Sequence, residues 1–139
     1  MSRESLLMVA DTERCADMRY AVGMSVPDPL IYLRTSGKPC IVLNDLQLDR
    51  ARAEAPHCRV LSLSKLQERL RQEGARKADL PQVIRFLLAD RQARRVRVPD
   101  DFEFALARDL RRLKVRLTPA GGHVFPERAI KTAAEVKKI

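Results

Sequence analysis

Leu30-Ile-Tyr-Leu-Arg-Thr35, Ser36-Gly37-Lys38-Pro39 and Cys40-Ile-Val-Leu-Asn44 follow one another, and reading them decides the fold. The first and last runs are short, apolar, and β-branched or aromatic in part. Turn residues bound both of them, which is the pattern of strands. The connection is too short for anything but antiparallel neighbours, and Gly37 can take the positive φ of a tight turn. The stretch therefore predicts a central hairpin. Just before it, Asp17-Met-Arg-Tyr20-Ala-Val-Gly23 reads as the end of a helix stopped by glycine. Met24-Ser-Val-Pro-Asp-Pro29 between them is a loop, because two prolines in three residues exclude regular structure.

Working outward, Ser5–Ala10 predicts a first strand, with Asp11 or Thr12 capping a helix over residues 14–22. After the hairpin, Asn44 or Asp45 caps a helix carrying Leu46 and Leu48 through Ala55. Residues 58–63 form a strand, and Ser64 caps a helix with Leu66 and Leu70, closed by Gly74. Asp79-Leu-Pro81 opens a helix with an apolar stripe at Leu80, Val83, Ile84, Leu87 and Leu88. Residues 95–98 alternate as a strand. Residues 102–113 place Phe102, Leu106, Leu110 and Leu113 on one helical face. A last strand covers 115–117, residues 118–123 form a turn, and a helix begins at Pro126. The sum is an α/β domain, a mixed sheet of about six strands flanked by helices. The helix from Pro126 to Ile139 meets no Gly, Asn or Pro stop, so it is expected to continue into a further segment. Residues 1–125 then form the domain and 126–139 the start of a linker helix.

The 139 residues suit one domain with a substantial core. No apolar run approaches the roughly 20 residues of a membrane helix. The apolar run after Ser5 is too short for a secretory signal, which places the protein in the cytoplasm. Cys15, Cys40 and Cys58 are odd in number and show no paired spacing, so reduced thiols are expected, with Cys40 buried in a strand. Net charge is +9, from 27 basic and 18 acidic residues, which raises nucleic acid as a partner. Against that, the arginines are spread through nearly every helix, and aromatics make up only 4%.

Chemistry-bearing patterns are few. His57 and His123 are the two histidines, and neither has a ligand-type residue at helical spacing. Both are expected as exposed loop residues. There is no Gly-x-Ser-x-Gly elbow and no phosphate-binding glycine loop. Ser36, Ser62 and Ser64 read as turn, strand-end and cap residues. The pairs Asp100-Asp101 and Asp45/Asp49 sit where helix N-termini favour negative charge. No catalytic residue and no metal ligand is assigned.

The order of these pieces resembles the N-terminal domain of the creatinase, prolidase and aminopeptidase P family. Asp17-Met-Arg-Tyr20-Ala-Val-Gly23 is similar to the family's Asn-x-x-Tyr-Leu-Thr-Gly segment. Gly37-Lys-Pro-Cys-Ile-Val-Leu43 is similar to its hairpin, and Arg128-Ala-Ile-Lys131-Thr-Ala-Ala-Glu135-Val to its Arg-x-x-Lys-x-x-x-Glu-Ile segment. The departures are Asp17 for Asn, Ala21-Val22 for Leu-Thr, and Met24 for the aromatic that commonly follows the glycine. The resemblance implies a ribonuclease H-like layering and a separate C-terminal pita-bread domain. That domain would hold two divalent metal ions, such as Mn, and cleave before proline or act on a related C–N bond. This chain would be silent catalytically, with no cofactor of its own. It would partner the catalytic domain, contribute to a homodimer and wall the active site. The residues expected to face that site or a partner subunit are Arg19, Tyr20, Met24 and Asp28, on or behind loop 24–29. The alternative is a stand-alone basic module binding nucleic acid or a protein.

Overall fold

The computed structural model describes residues 5–127. Six strands form one sheet: β1 (Ser5–Ala10), β2 (Leu30–Arg34), β3 (Cys40–Leu43), β4 (Arg59–Ser62), β5 (Arg95–Val98) and β6 (Arg116–Pro119). Their order is β4-β3-β2-β1-β5-β6. β1, β3, β4, β5 and β6 run one way, and β2 alone opposes its neighbours. The predicted hairpin is β2–β3, near the centre, with Gly37 at φ 76° in its turn. The mixed α/β sheet expected from the sequence is therefore the architecture observed.

Because side chains alternate across a strand, each central strand feeds two cores. On one face Leu6, Met8, Leu30, Tyr32, Ile41 and Leu43 pack under α1 (Ala16–Val22) and α2 (Leu48–Glu54). On the other, Leu7, Ile31, Leu33, Val42, Val96 and Val98 pack under α3 (Leu63–Gln72), α4 (Leu80–Asp90) and α5 (Phe104–Arg112). Burial on both faces explains why the hairpin strands read as continuous apolar runs. Cys40 is buried in β3 as expected, and Arg91 donates to its sulfur. Cys58 is buried too, and burial, followed by the neighbouring Cys40, pushes its thiol up to about 11.

Several element ends differ from the sequence reading. α1 starts at Ala16 and is capped by the Cys15 sulfur, which accepts from the Met18 N–H at 3.4 Å. Thr12 is unavailable as a cap because its hydroxyl is engaged with Val26, and Asp11 accepts instead from the Arg14 N–H. The helix expected from Asn44 to Ala55 is a 3₁₀ turn, Asp45–Gln47, followed by α2; Asn44 makes no capping bond. Leu46, expected on its apolar face, is 91% exposed. Ser62, rather than Ser64, caps α3 by accepting from the Lys65 N–H. α5 begins two residues late, at Phe104, because Phe102 N–H closes a turn onto the Pro99 carbonyl. β6 extends to Pro119, whose missing N–H is tolerated on an edge strand. The helix expected over 126–139 lies outside the described residues from Arg128 on.

Candidate functional site

Since all strands but β2 are parallel, one edge of the sheet collects the loops that follow β1, β3, β4, β5 and β6. Loop 24–29 enters β2 at this same edge. In layered α/β sheets such an edge is where ligands and partners are met.

Loop 24–29 is held rigidly. The Thr12 hydroxyl donates to the Val26 carbonyl at 3.0 Å and accepts from the Val26 N–H at 2.6 Å. The Thr12 N–H also reaches the Val26 carbonyl. Met24 and Val26 turn into the core, while Ser25, Pro27, Asp28 and Pro29 are exposed. Of the four residues singled out in the sequence, Met24 is only 2% exposed and supports the loop from beneath. Arg19 is exposed on α1. Asp28 is exposed and accepts from Asn44 Nδ2 at 3.3 Å. Tyr20 is 42% exposed. Its ring meets Phe125 edge-on at 5.2 Å, and its hydroxyl donates to Glu127 Oε1 at 3.4 Å. The structure thus places Asp28 at the strand-end edge and Tyr20 elsewhere, against the segment that leaves β6.

Two further groupings went unread in the sequence. The first joins Asp45 to the start of α3: Ser62 Oγ and Ser64 Oγ donate to its carboxylate at 2.7 and 2.8 Å. Those two hydroxyls, Ser62 first, hold the Asp45 carboxyl below its ordinary range. Capping was the sequence reading for Asp45. The register, Leu43 beside Ser62, brings the ends of β3 and β4 together and redirects the carboxylate. Asp100 is likewise not an α5 cap, because it accepts from the Gly121 and Gly122 N–H groups at 2.8 and 3.0 Å.

The second grouping lies beneath Phe125. Arg34, Leu6, Arg97 and Thr118 stand in one row across β2, β1, β5 and β6, on the same face. Phe125 is buried against Tyr20 and Tyr32, and the Arg34 guanidinium lies 6.0 Å from its ring centre. Arg34 Nε, Arg97 Nε and Thr118 Oγ1 are buried with no hydrogen-bond partner among the described residues. The only signal for this row was the Arg-Val-Arg-Val alternation of β5, which is equally the pattern of a solvated face.

His57 is exposed, but its Nε2 lies 2.9 Å from the Ala21 carbonyl, tying the β4 approach to α1. His123 is exposed. Among the described residues no three His, Cys, Asp or Glu side chains are placed to hold a metal ion.

No protein-family model matches the chain, and no curated protein does. Solved structures do match. An X-Pro aminopeptidase from Thermotoga maritima superposes with a TM-score of 0.63 at 12% identity, over 84% of this chain and 30% of that one. An Xaa-Pro dipeptidase from Bacillus anthracis gives 0.61 at 8%, over 84% and 28%. The N-terminal domain of a cytoplasmic peptidase from Mycobacterium tuberculosis gives 0.55 at 14%, over 84% and 81%. The chain therefore spans less than a third of the two larger proteins and most of the isolated N-terminal domain. It has the fold of the N-terminal domain of Xaa-Pro aminopeptidases and prolidases. Among the described residues no helix is long and apolar enough to cross a membrane.

Proposed function

We propose that this chain is the non-catalytic N-terminal domain of an Xaa-Pro peptidase-like metallohydrolase, contributing to a homodimer and walling the active site of a C-terminal catalytic domain. The observation that carries the reading is the fold shared, over 84% of the chain, with an X-Pro aminopeptidase and with a structure that is itself the N-terminal domain of a peptidase. On this reading, the divalent metal ions belong to the catalytic domain, and the protein works in the cytoplasm. Loop 24–29 is the part that faces the active site or the partner subunit. It has the properties that role requires: a backbone fixed by Thr12, a buried Met24 beneath, and an exposed Asp28. Tyr20 and Phe125 clamp the segment leading toward residue 128, which fixes the direction in which the chain leaves the sheet.

The test is to express the reading frame extended past Ile139, load it with Mn²⁺ and supply an Xaa-Pro peptide. Cleavage before proline is expected from the extended protein and none from residues 1–139. Asp28→Ala and Arg19→Ala should raise KM in the extended protein while its melting temperature stays unchanged. A stop codon at residue 140, or turnover by the 139-residue chain alone, would sink the proposal.

A further inference from the structure

The charges that looked scattered in the sequence are sorted by the fold. The edge at the strand C-termini carries Asp11, Asp28, Asp45 and Asp100. The opposite edge carries Arg34 and Lys38 at the hairpin turn, Arg59 at the start of β4, and Arg95 and Arg116 at the starts of β5 and β6. It is densest around β5 and β6. There, Arg85, Arg94, Lys114 and Arg116 line an open cleft of about 840 Å³. A second hollow of about 600 Å³ is lined by Lys114 and Arg116 together with Arg95 and Arg111. None of these six cations forms an ion pair among the described residues. The acids closest to them along the chain are already paired, Asp90 with Arg91 at 3.7 Å and Asp109 with Arg108 at 3.2 Å and Arg112 at 3.8 Å.

Helix ends explain part of this, because cations favour helix C-termini. They do not explain the strand residues Arg95 and Arg116, nor the backbone of the cleft. Gln92 and Lys114, each just past the end of a helix, have φ of 56° and 69°. This left-handed conformation disfavours side chains and normally selects glycine. Both residues line the cleft. Two polar side chains are thus kept, against a backbone penalty, at the same place where four unpaired cations converge.

We infer that this cleft binds the phosphodiester backbone of nucleic acid without reading its sequence. Large exposed apolar side chains occur at Tyr20, Leu46 and Phe104, and none lies in the cleft. A protein partner is usually anchored by aromatic or apolar side chains at the centre of its contact. Base stacking needs aromatic platforms, and no aromatic residue lines either hollow. Cations without such anchors match backbone phosphate contacts, which position a nucleic acid but carry no sequence information. The basic edge also spans the whole six-stranded sheet, about 24 Å at a spacing of about 4.8 Å per strand. An extended polymer of regular charge complements that length.

The experiment is fluorescence anisotropy of the 139-residue chain with a labelled DNA duplex of about 20 base pairs, over about 50 to 200 mM salt. Binding should weaken steeply as salt rises and be indifferent to sequence. The triple variant Arg94→Glu, Lys114→Glu, Arg116→Glu should bind at least tenfold more weakly. It should also lower the log–log salt slope by about 3, one per phosphate contact removed. A control with the same change in net charge at the opposite, acidic edge, Arg14→Glu, Arg50→Glu, Lys65→Glu, should stay within about twofold, since net charge alone acts as a non-specific field. Arg85→Gln with Arg94→Gln gives a gentler pair for which an unchanged melting curve secures the comparison. Equal weakening by cleft and control variants overturns the inference, as does absent or salt-independent binding. Displacement of the duplex by polyglutamate at equal charge concentration also overturns it, in favour of an acidic protein segment.

Discussion

Thr12 shows how much one side chain can decide. A threonine after a strand and before a helix is an ordinary N-cap by sequence. Here it is 5% exposed and exchanges two hydrogen bonds with Val26, so that loop 24–29 is held to the end of β1. Thr12→Val keeps the shape and leaves the buried Val26 N–H without its acceptor. A loss of about 1–3 kcal/mol is expected in denaturant unfolding, the cost of one unsatisfied buried donor. Asp45 makes the pH-dependent counterpart. Its carboxyl titrates below its ordinary value of 3.8 because the Ser62 and Ser64 hydroxyls favour the charged form. A group whose folded pKa is depressed stabilises above its unfolded pKa, and that contribution disappears as pH falls through the folded one. Melting temperature should therefore drop more steeply below about pH 4 in the wild type than in Asp45→Asn. Identical acid limbs would show that the two serine bonds carry no stability. Neither residue's role was legible in the sequence, because each depends on a partner 14 or 17 positions away. Local capping statistics cannot see such partners.

At the scale of elements, legibility followed chemistry that acts over a few residues. The β2–β3 hairpin, the Pro81 helix start behind Asp79 and the Gly23 stop all appear where the sequence puts them. Gly23 has φ 76° and donates to the Arg19 carbonyl at 2.9 Å. The misplaced ends are those where a tertiary bond took the expected capping group, at Thr12, Asp45 and Asp100. α4 and α5 end in the same way, with the sixth N–H bonding back: Ala93 to Leu88 at 2.8 Å and Val115 to Leu110 at 3.0 Å. The intervening residues, Gln92 and Lys114, occupy the left-handed position usually given to glycine. Gln92→Gly should relieve about 1–2 kcal/mol of backbone cost. The freer unfolded chain returns about 0.4–1 kcal/mol of that. A net stabilisation of about 0.5–1 kcal/mol in urea melts is expected. A destabilised variant would mean that the Gln92 side chain makes contacts of equal worth.

For the whole molecule, the arrangement of charge matters more than its sum. Each helix of an α/β layer prefers acid at its start and base at its end. Parallel stacking adds these small local preferences together, and loop and strand residues such as Asp28, Arg95 and Arg116 complete one acidic and one basic edge. A net charge of +9 concentrated in this way repels itself most along the basic edge. Raising salt from about 10 to about 100 mM shortens the screening length from about 30 to about 10 Å. The melting temperature should rise over that range; a fall would mean that the surface ion pairs outweigh the repulsion. By itself the sequence determined the class of fold. Alternation, turn residues and helical stripes are local, and two-sided burial writes itself into the hairpin as unbroken apolar runs. The ordered motifs around Tyr20, Gly37 and Arg128 also carried the resemblance to Xaa-Pro peptidase N-terminal domains, and the fold agrees with it. Only the tertiary structure decided where the groups meet. It buried Met24, set Tyr20 on Phe125 and lined up Arg34, Arg97 and Thr118 across four strands. It also gathered arginines that the sequence scatters from Arg85 to Arg116 into one cleft. The reason is that strand order and register bring residues together without regard to their separation along the chain, and no local pattern of residues encodes either one.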